Sequence, residues 1–243
     1  MPAKTAVKMT LKEVMSELKK LGTEQTRKTF LRHGAREPFF GVKVGDLKVI
    51  QKKVKKDYEL SLQLYDTGNS DAMYLAGLIA DPDKMTKADL KKWVKGAYWN
   101  MIAGYTVPWV ASESRHGREL ALEWIDSNDE MVSTAGWSTY ASLVAIKPDE
   151  ELDQEEIEKL LTRVKNEIGS APNRTRYAMN NFVIAVGGYV APLMGKAKAA
   201  AKAIGTVEVD MGDTSCNVPV AMDYIEKIEK MGRVGLKRKT AMC

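Results

Sequence analysis

Apolar residues recur along most of this chain at spacings of three and four, the periodicity of amphipathic α-helices. Leu11, Val14 and Leu18 form one such stripe, which Thr10 can cap at its start and Gly22 at its end. Residues 10 to about 204 divide in this way into roughly a dozen short helices with short connections, a pattern typical of helical-repeat proteins and bundles. No exact repeat period stands out, which favours degenerate HEAT-like helix pairs over tetratricopeptide or ankyrin repeats. The sequence therefore predicts an all-α solenoid.

The pattern changes after Gly205. The segment TVEVD alternates apolar and polar residues, MGDTS supplies turn residues, and CNVPV is again strand-like. This arrangement predicts a β-hairpin at about 205–220. Ala221–Met231 returns to helical spacing, and the basic tail 232–243 is expected to be mobile.

Length and composition favour a soluble protein with one domain over residues 1–243, since 44% of the residues are hydrophobic and 28% are charged. The two cysteines suit a reducing compartment. The N-terminus lacks an apolar signal region, and no window approaches about 18 uninterrupted apolar residues. We therefore expect a cytoplasmic protein. Neither a metal-ligand spacing nor a nucleotide-binding or hydrolase motif is found, so no metal and no cofactor are predicted.

The formal net charge is +5, and its distribution is uneven. Lysines three or four residues apart, such as Lys52 and Lys56 or Lys198 and Lys202, share one face of a predicted helix. Stacked helix pairs could align such faces along a groove that binds phosphates. The alternative is that these lysines are simply the solvated outer faces of the helices.

All five tryptophans fall between residues 93 and 137, and core packing is the ordinary role of aromatic residues at helical spacing. Trp99 differs from the others. It lies in GAYWNMIAGYTVP, between a lysine-rich helix and a run of apolar residues. We therefore consider Trp99 a candidate for contact with a ligand.

Three segments together resemble the DNA alkylation repair (AlkD-like) family. They are EPFFGVKVGDLKVIQKKV at 37–54, WVKGAYWNMIAGY at 93–105 and NNFVIAVGGYVA at 180–191, and the resemblance extends over roughly residues 25–204. It implies a right-handed superhelical solenoid of HEAT-like helix pairs whose basic concave surface holds duplex DNA. The 205–220 segment and the sequence after it resemble a sub-branch that lacks glycosylase activity, carries a β-hairpin and is associated with branched DNA.

The chain departs from the pattern of the family's active glycosylases. In those enzymes the resemblance implies a Trp followed four residues later by an Asp, which stabilises the cationic sugar as the damaged base leaves. Here Ala103 occupies that position after Trp99, Asn100 stands where another acid is usual, the family's arginine is replaced near Ser133–Thr134, and only Tyr189 remains of a further motif. Losing one such preorganised group commonly costs about 3–4 kcal/mol of transition-state stabilisation. Because of these departures from the pattern of the resembled family, we predict no catalytic residues in this chain.

We thus predict a DNA-binding protein without base-excision activity that binds duplex or branched DNA. The residues predicted to contact DNA are Lys52, Lys53, Lys92, Trp99, Arg174, Arg176, Lys196, Lys198, Lys237, Arg238 and Lys239. One alternative is an active alkylpurine glycosylase with a rearranged site, for which Glu113 and Asp89 are possible acids. The other is a helical-repeat scaffold that binds proteins.

Overall fold

The computed structural model describes residues 9–242, so residues 1–8 and 243 of the predicted domain lie outside the described residues. The described chain forms thirteen α-helices. In chain order these are α1 Leu11–Leu21, α2 Glu24–Arg32, α3 Val44–Val54, α4 Tyr58–Asp66, α5 Ser70–Ile79, α6 Lys87–Gly96, α7 Val107–Glu113, α8 Gly117–Ile125, α9 Glu130–Ile146, α10 Gln154–Glu167, α11 Asn173–Tyr189, α12 Met194–Ile204 and α13 Ala221–Lys230. A π-helical segment, Ile102–Thr106, leads directly into α7.

Apart from α2, the helices pack in pairs that form two layers. Layer A contains α1, α4, α6, α8, α10 and α12, and layer B contains α3, α5, α7, α9, α11 and α13. Each layer-B helix packs against its layer-A partner and against the layer-B helices before and after it. This is the stacking that short-linked helix pairs predict, and it confirms the all-helical architecture.

Local sequence signals set most helix starts. Thr10 and Thr86 each accept the backbone N–H of the third helical residue, and the acids Glu13 and Asp89 bind back to the two caps, which completes two capping boxes. Asp57 and Asn69 cap α4 and α5 in the same side-chain manner. The π-helical segment and α7 carry no such signal, and the sequence pattern did not predict them.

The core consists of two hydrophobic clusters, one in the N-terminal and one in the C-terminal half, which together contain all five tryptophans, none more than 5% exposed. Trp93 stacks on Tyr65 with ring centroids 4.2 Å apart. Within α11, Gly187 and Gly188 let Ile225 and Ile228 of α13 approach closely, because a Cβ at Gly187 would lie 2.6 Å from the Ile225 side chain. The glycine pair therefore serves helix packing, as residues of minimal size do at close interfaces.

The predicted β-hairpin at 205–220 is wrong, since no strand is formed within residues 9–242. The hydrogen bonds within the segment are short-range turn contacts over 210–216, and the other hydrogen bonds of residues 206–219 go to α11. Asp210 exchanges two hydrogen bonds with the Asn173 side chain at the start of α11, and the Pro219 carbonyl accepts from Asn180. Gly212, at φ +77°, lies so close to the Arg32 carbonyl that a Cβ there would be 2.2 Å from the oxygen. These contacts replace the cross-strand ladder that alternation alone suggested.

The described part of the tail packs against the helices, although its sequence suggested a mobile segment. Residues 233–242, which we call the C-terminal strap, cross the C-terminal ends of successive layer-B helices. Gly235 donates to the Gly188 carbonyl of α11, Arg238 donates to the Ala145 carbonyl of α9, and Ala241 donates to Glu113 of α7. Ala241 is 1% exposed, and Met242 packs against the N-terminal half of the core. The strap thereby connects the last helix pair to the first ones.

Within the described residues, no single helix has the length and apolar character to cross a membrane. The pair α11 and α12 reaches that length only together, across a bend of 114°.

Candidate nucleic-acid interface

Three of the predicted DNA-binding lysines lie on layer-A helices and form ion pairs with carboxylates. Lys92 of α6 is 2.7 Å from Asp66 of α4, and Lys196 and Lys198 of α12 pair with Glu158 of α10 and Glu229 of α13. Similar pairs join α6 to α8 and α8 to α10, namely Lys87–Glu119, Lys91–Glu123 and Arg118–Glu156. These lysines therefore belong to a belt of ion pairs along layer A, where exposed pairs of this kind contribute about 0–1 kcal/mol each.

The three basic tail residues that were predicted to contact DNA all lie in the strap, and they differ in their exposure. Lys237 is half-buried, donates to the Val144 carbonyl and pairs with Asp149 at 2.8 Å. Arg238 donates to the Met242 carbonyl. Lys239 is exposed. Of the three, Lys239 alone presents its side chain fully to solvent.

Lys52 and Lys53 occupy the last turn of α3. Lys53 pairs with Glu17 of α1 at 3.1 Å. Lys52 is exposed and, among the described residues, has no ion pair. It borders a cleft formed by the C-terminal ends of α3, α5 and α7.

Arg174 and Arg176 lie in the first turn and a half of α11, on the opposite end of layer B from the strap. The Arg174 guanidinium contacts the Met211 sulfur at 3.3 Å, and the Nε of Arg176 is buried with no hydrogen-bond partner in the described chain. On the other side of the 205–220 segment lies Arg32, whose backbone carbonyl approaches Gly212, and Arg36 follows four residues later in the loop after α2. Arg174 and Arg176 lie at the start of α11, Arg32 lies against the 205–220 segment, and Arg36 bonds to Tyr98 near the start of α5. We call these four residues, Arg32, Arg36, Arg174 and Arg176, the arginine edge.

The sequence analysis did not select Arg32 and Arg36. Arg36 is exposed, donates to the Tyr98 carbonyl at 2.5 Å and lies 5.9 Å from the Tyr98 ring centre. Tyr98 in turn donates to the Gly68 carbonyl just before α5. The available signal was the spacing of four between these arginines, which lie at the end of α2 and in the loop after it. This spacing alone does not indicate a binding surface, because the 205–220 segment that contacts Arg32 is remote in sequence.

Trp99 is buried, with 5% of its surface exposed, and packs on Phe30 at a ring-centre distance of 5.8 Å. The cavity beside it has a volume of about 10 Å³. That space suits a single water molecule and not a nucleobase, since ligand pockets are usually about 300–1,000 Å³. In this conformation Trp99 is a core residue, and its indole face is closed to an incoming base.

The two acids considered for a rearranged glycosylase site both accept hydrogen bonds from residues other than Trp99. Glu113 accepts hydrogen bonds from Thr240 and Ala241 of the strap. Burial acts to raise the pKa of Asp89, but hydrogen bonds from Thr86 and Tyr58 hold that pKa below its usual value. Neither residue lies beside Trp99.

One carboxylate beside the Trp99 cavity is that of Asp71, which the sequence analysis did not identify. It lines the same small cavity and is 2% exposed. Its oxygens accept the backbone N–H groups of Phe40, Gly41 and Val42 at 2.5, 2.9 and 3.0 Å. Burial raises the pKa of Asp71, while these three hydrogen bonds oppose the rise. Asp71 therefore fixes the turn formed by residues 38–42, which we call the PFFGV turn, and its lone pairs do not face an open site.

Comparison with known proteins gives consistent results over most of the chain. The model of a family described as DNA alkylation repair enzymes matches residues 14–200. The uncharacterized protein Lin0241 of Listeria innocua is 36% identical over 225 residues, which cover 90% of this chain and 97% of that protein. The uncharacterized protein Lmo0209 of Listeria monocytogenes is 35% identical over the same shares. A solved structure aligns with a TM-score of 0.88 and 42% identity over 97% of this chain and 100% of its own. It is described as a new family of proteins related to the HEAT-like repeat DNA glycosylases with affinity for branched DNA structures.

Proposed function

This chain belongs to the DNA alkylation repair enzyme family, and we propose that it is a DNA-binding member of it, binding duplex or branched DNA through phosphate contacts without excising bases. The observation that carries this proposal is the close structural likeness to a protein group with affinity for branched DNA. We further propose that residues 1–243 form one domain. In it the helix pairs wind as a right-handed superhelix, with layer B on the concave side.

The arginine edge is the proposed contact surface. Arginine suits phosphate because its planar guanidinium donates two parallel hydrogen bonds, and each phosphate contact on duplex DNA releases condensed counterions. The N-terminal ends of layer-B helices lie at the same edge, where the helix dipole favours anions. Contacts of this kind position a protein on DNA without reading sequence, so we expect recognition of backbone shape.

Base excision is unsupported by the arrangement around Trp99. Ala103 is fully buried, so the position four residues after Trp99 has neither a carboxylate nor access to a sugar. Asp71, the neighbouring acid, already accepts three N–H groups, and a carboxylate in that state is poorly placed to stabilise a cationic sugar outside the core. These two features support a role in binding rather than in chemistry.

Fluorescence anisotropy with linear, forked and four-way DNA over a range of salt concentrations tests the proposal. Replacing both Arg174 and Arg176 by Gln should weaken binding to every DNA and flatten the slope of log K against log salt by about 2. The matched double variant Lys92→Gln/Lys198→Gln, in the layer-A belt, should leave the slope unchanged. A larger loss from the lysine pair would move the interface to layer A, as the sequence pattern alone suggested.

Two alternatives have their own signatures. An active glycosylase would release 7-methylguanine or 3-methyladenine from alkylated DNA, and clear release would overturn the proposal that excision is absent. A protein scaffold would bind none of the DNAs tightly and would show no steep salt slope.

A further inference from the structure

A second basic site lies at the opposite ends of the layer-B helices from the arginine edge. It is a cleft of about 390 Å³ between the C-terminal ends of α3, α5 and α7. Its apolar floor includes Leu78 and Trp109, and the strap residues Thr240 and Met242 form one wall. Three lysines border it, namely Lys52, Lys55 and Lys56, and we call it the lysine cleft.

The charge of the lysine cleft is not neutralised by its surroundings. Lys52 and Lys55 are exposed and have no ion pair among residues 9–242, while Lys56 lies 3.6 Å from Asp81, which Lys84 also approaches. The carboxylate lining the cleft is Glu113, and one of its oxygens accepts both hydrogen bonds from the strap. The cleft therefore presents an excess of positive charge to solvent.

Lysines near a helix C-terminus also compensate the helix dipole, and this accounts for Lys52 in the last turn of α3. It does not account for the backbone of Lys55. That residue has φ 64° and ψ −143°, a conformation that is nearly exclusive to glycine. Every other described residue with positive φ is a glycine, such as Gly34 and Gly205. A lysine at a position where glycine would be unstrained is a candidate for a functional role, because strained residues cluster at functional sites.

The lysine cleft and the arginine edge lie at opposite ends of the layer-B helices, and these helices are longer than one groove of a duplex is wide. Layer-B helices such as α3 and α11 have 11 and 17 residues, which correspond to roughly 16–26 Å at about 1.5 Å per residue. The major and minor grooves of B-DNA are about 12 and 6 Å wide. Phosphates bound at the two sites would therefore belong to separate backbone segments.

We propose that the lysine cleft binds the sugar–phosphate backbone of a second arm of branched DNA while the arginine edge holds the first arm. This inference rests on the proposed DNA-binding function and adds a site that is specific for branched substrates. Lys52 and Lys55 provide the principal phosphate contacts, and Lys239, exposed on the strap beside the cleft wall, extends the basic surface.

The test compares a four-way junction with a linear duplex of equal arm length, using the full chain and the double variant Lys52→Gln/Lys55→Gly. We expect weaker junction binding with a salt slope flatter by about 2, and unchanged linear-duplex binding. The control is Lys159→Gln/Lys165→Gln, two exposed lysines of α10, which should change neither. Equal loss on both DNAs, or no loss on the junction, would overturn the second-arm site while leaving the proposed function intact. A wild-type chain that binds neither DNA would overturn both.

The single variant Lys55→Gly separates a ligand role from a structural one. Because glycine relieves the positive-φ strain, it should raise the Tm by about 2–4 °C and still reduce junction binding. A lysine that merely supported the fold would give a lower Tm on substitution, and that outcome, with junction binding unchanged, would contradict the inference.

Discussion

The Asp71 carboxylate offers the sharpest test of how this fold is held together. Asp71→Ala removes the acceptor for three backbone N–H groups, of which those of Gly41 and Val42 are in fully buried contacts. An unpaired buried donor costs about 1–3 kcal/mol, so these two amount to about 2–6 kcal/mol. Removing the buried charge offsets part of that, and we expect a net loss of about 2–4 kcal/mol of the free energy of unfolding.

Urea titration followed by circular dichroism measures this loss as a lower midpoint at unchanged slope. Heating should show a Tm reduced by roughly 4–16 °C, since about 1 kcal/mol shifts the Tm of a domain this size by 2–4 °C. The matched control is Asp83→Ala, at an exposed turn residue, which should stay within about 0.5 kcal/mol of wild type. A loss below about 1 kcal/mol for Asp71→Ala would refute the view that this carboxylate holds the PFFGV turn.

The pH dependence of the same site has a definite sign. Burial raises the pKa of Asp71, so the folded state binds its proton more tightly than the unfolded chain does. Its contribution to stability is therefore fully present below the ordinary Asp pKa of about 3.9 and is lost as pH rises through the folded pKa. The stability advantage of wild type over Asp71→Asn, which does not titrate here, should shrink as the pH rises above the ordinary Asp pKa of about 3.9. An advantage that widens as the pH rises would contradict the assigned direction.

Three further predictions concern packing and the strap. Glu113→Ala removes the carboxylate that accepts two hydrogen bonds from the strap, which stabilise its bound position by about 1.5–3 kcal/mol. Tryptic cleavage after Lys239 should therefore become about 10- to 100-fold faster. An unchanged rate would mean that other contacts hold the strap. Gly187→Ala should lower the free energy of unfolding by about 1–3 kcal/mol, because the added methyl group meets the Ile225 side chain. In a double-mutant cycle with Ile225→Ala, the two losses should not be additive. Simple additivity would rule out that contact as the cause. Ala103→Asp should lower the free energy of unfolding by about 3–5 kcal/mol, because the position is fully buried. The variant should release no alkylated base, and release of base would support an active glycosylase instead.

The helices were predictable where a local signal marks them. The Thr10 and Thr86 capping boxes and the helical spacing of apolar residues act within a few residues, and both appear in the structure as the sequence pattern indicates. The segment 100–113 was missed because a π-helix followed by Pro108 has neither the usual period nor a cap. Local rules are sufficient only where local interactions decide the conformation.

The site was less predictable, because charge patterns along a sequence do not say which carboxylates will face them. Lys92 and Lys198 have the spacing expected of a phosphate-binding helix face, yet Asp66 and Glu229 from other helices pair with them. The 205–220 segment alternates like a strand, but contacts with α2 and α11 determine its path. These outcomes depend on tertiary neighbours, and no residue-level pattern encodes them.

The strap changes how the whole array should fold and unfold. Stacked repeats normally touch only adjacent repeats, so their ends can fray independently of the middle. Here Gln51 and Met242, which are 191 residues apart, are in contact at 3.7 Å, and Glu113 binds Thr240 across 127 residues. Such closures raise the contact order, which slows folding. Because the last residues are seated on the first helix pairs, loss of either end weakens the other, and the array should melt in one cooperative transition rather than repeat by repeat.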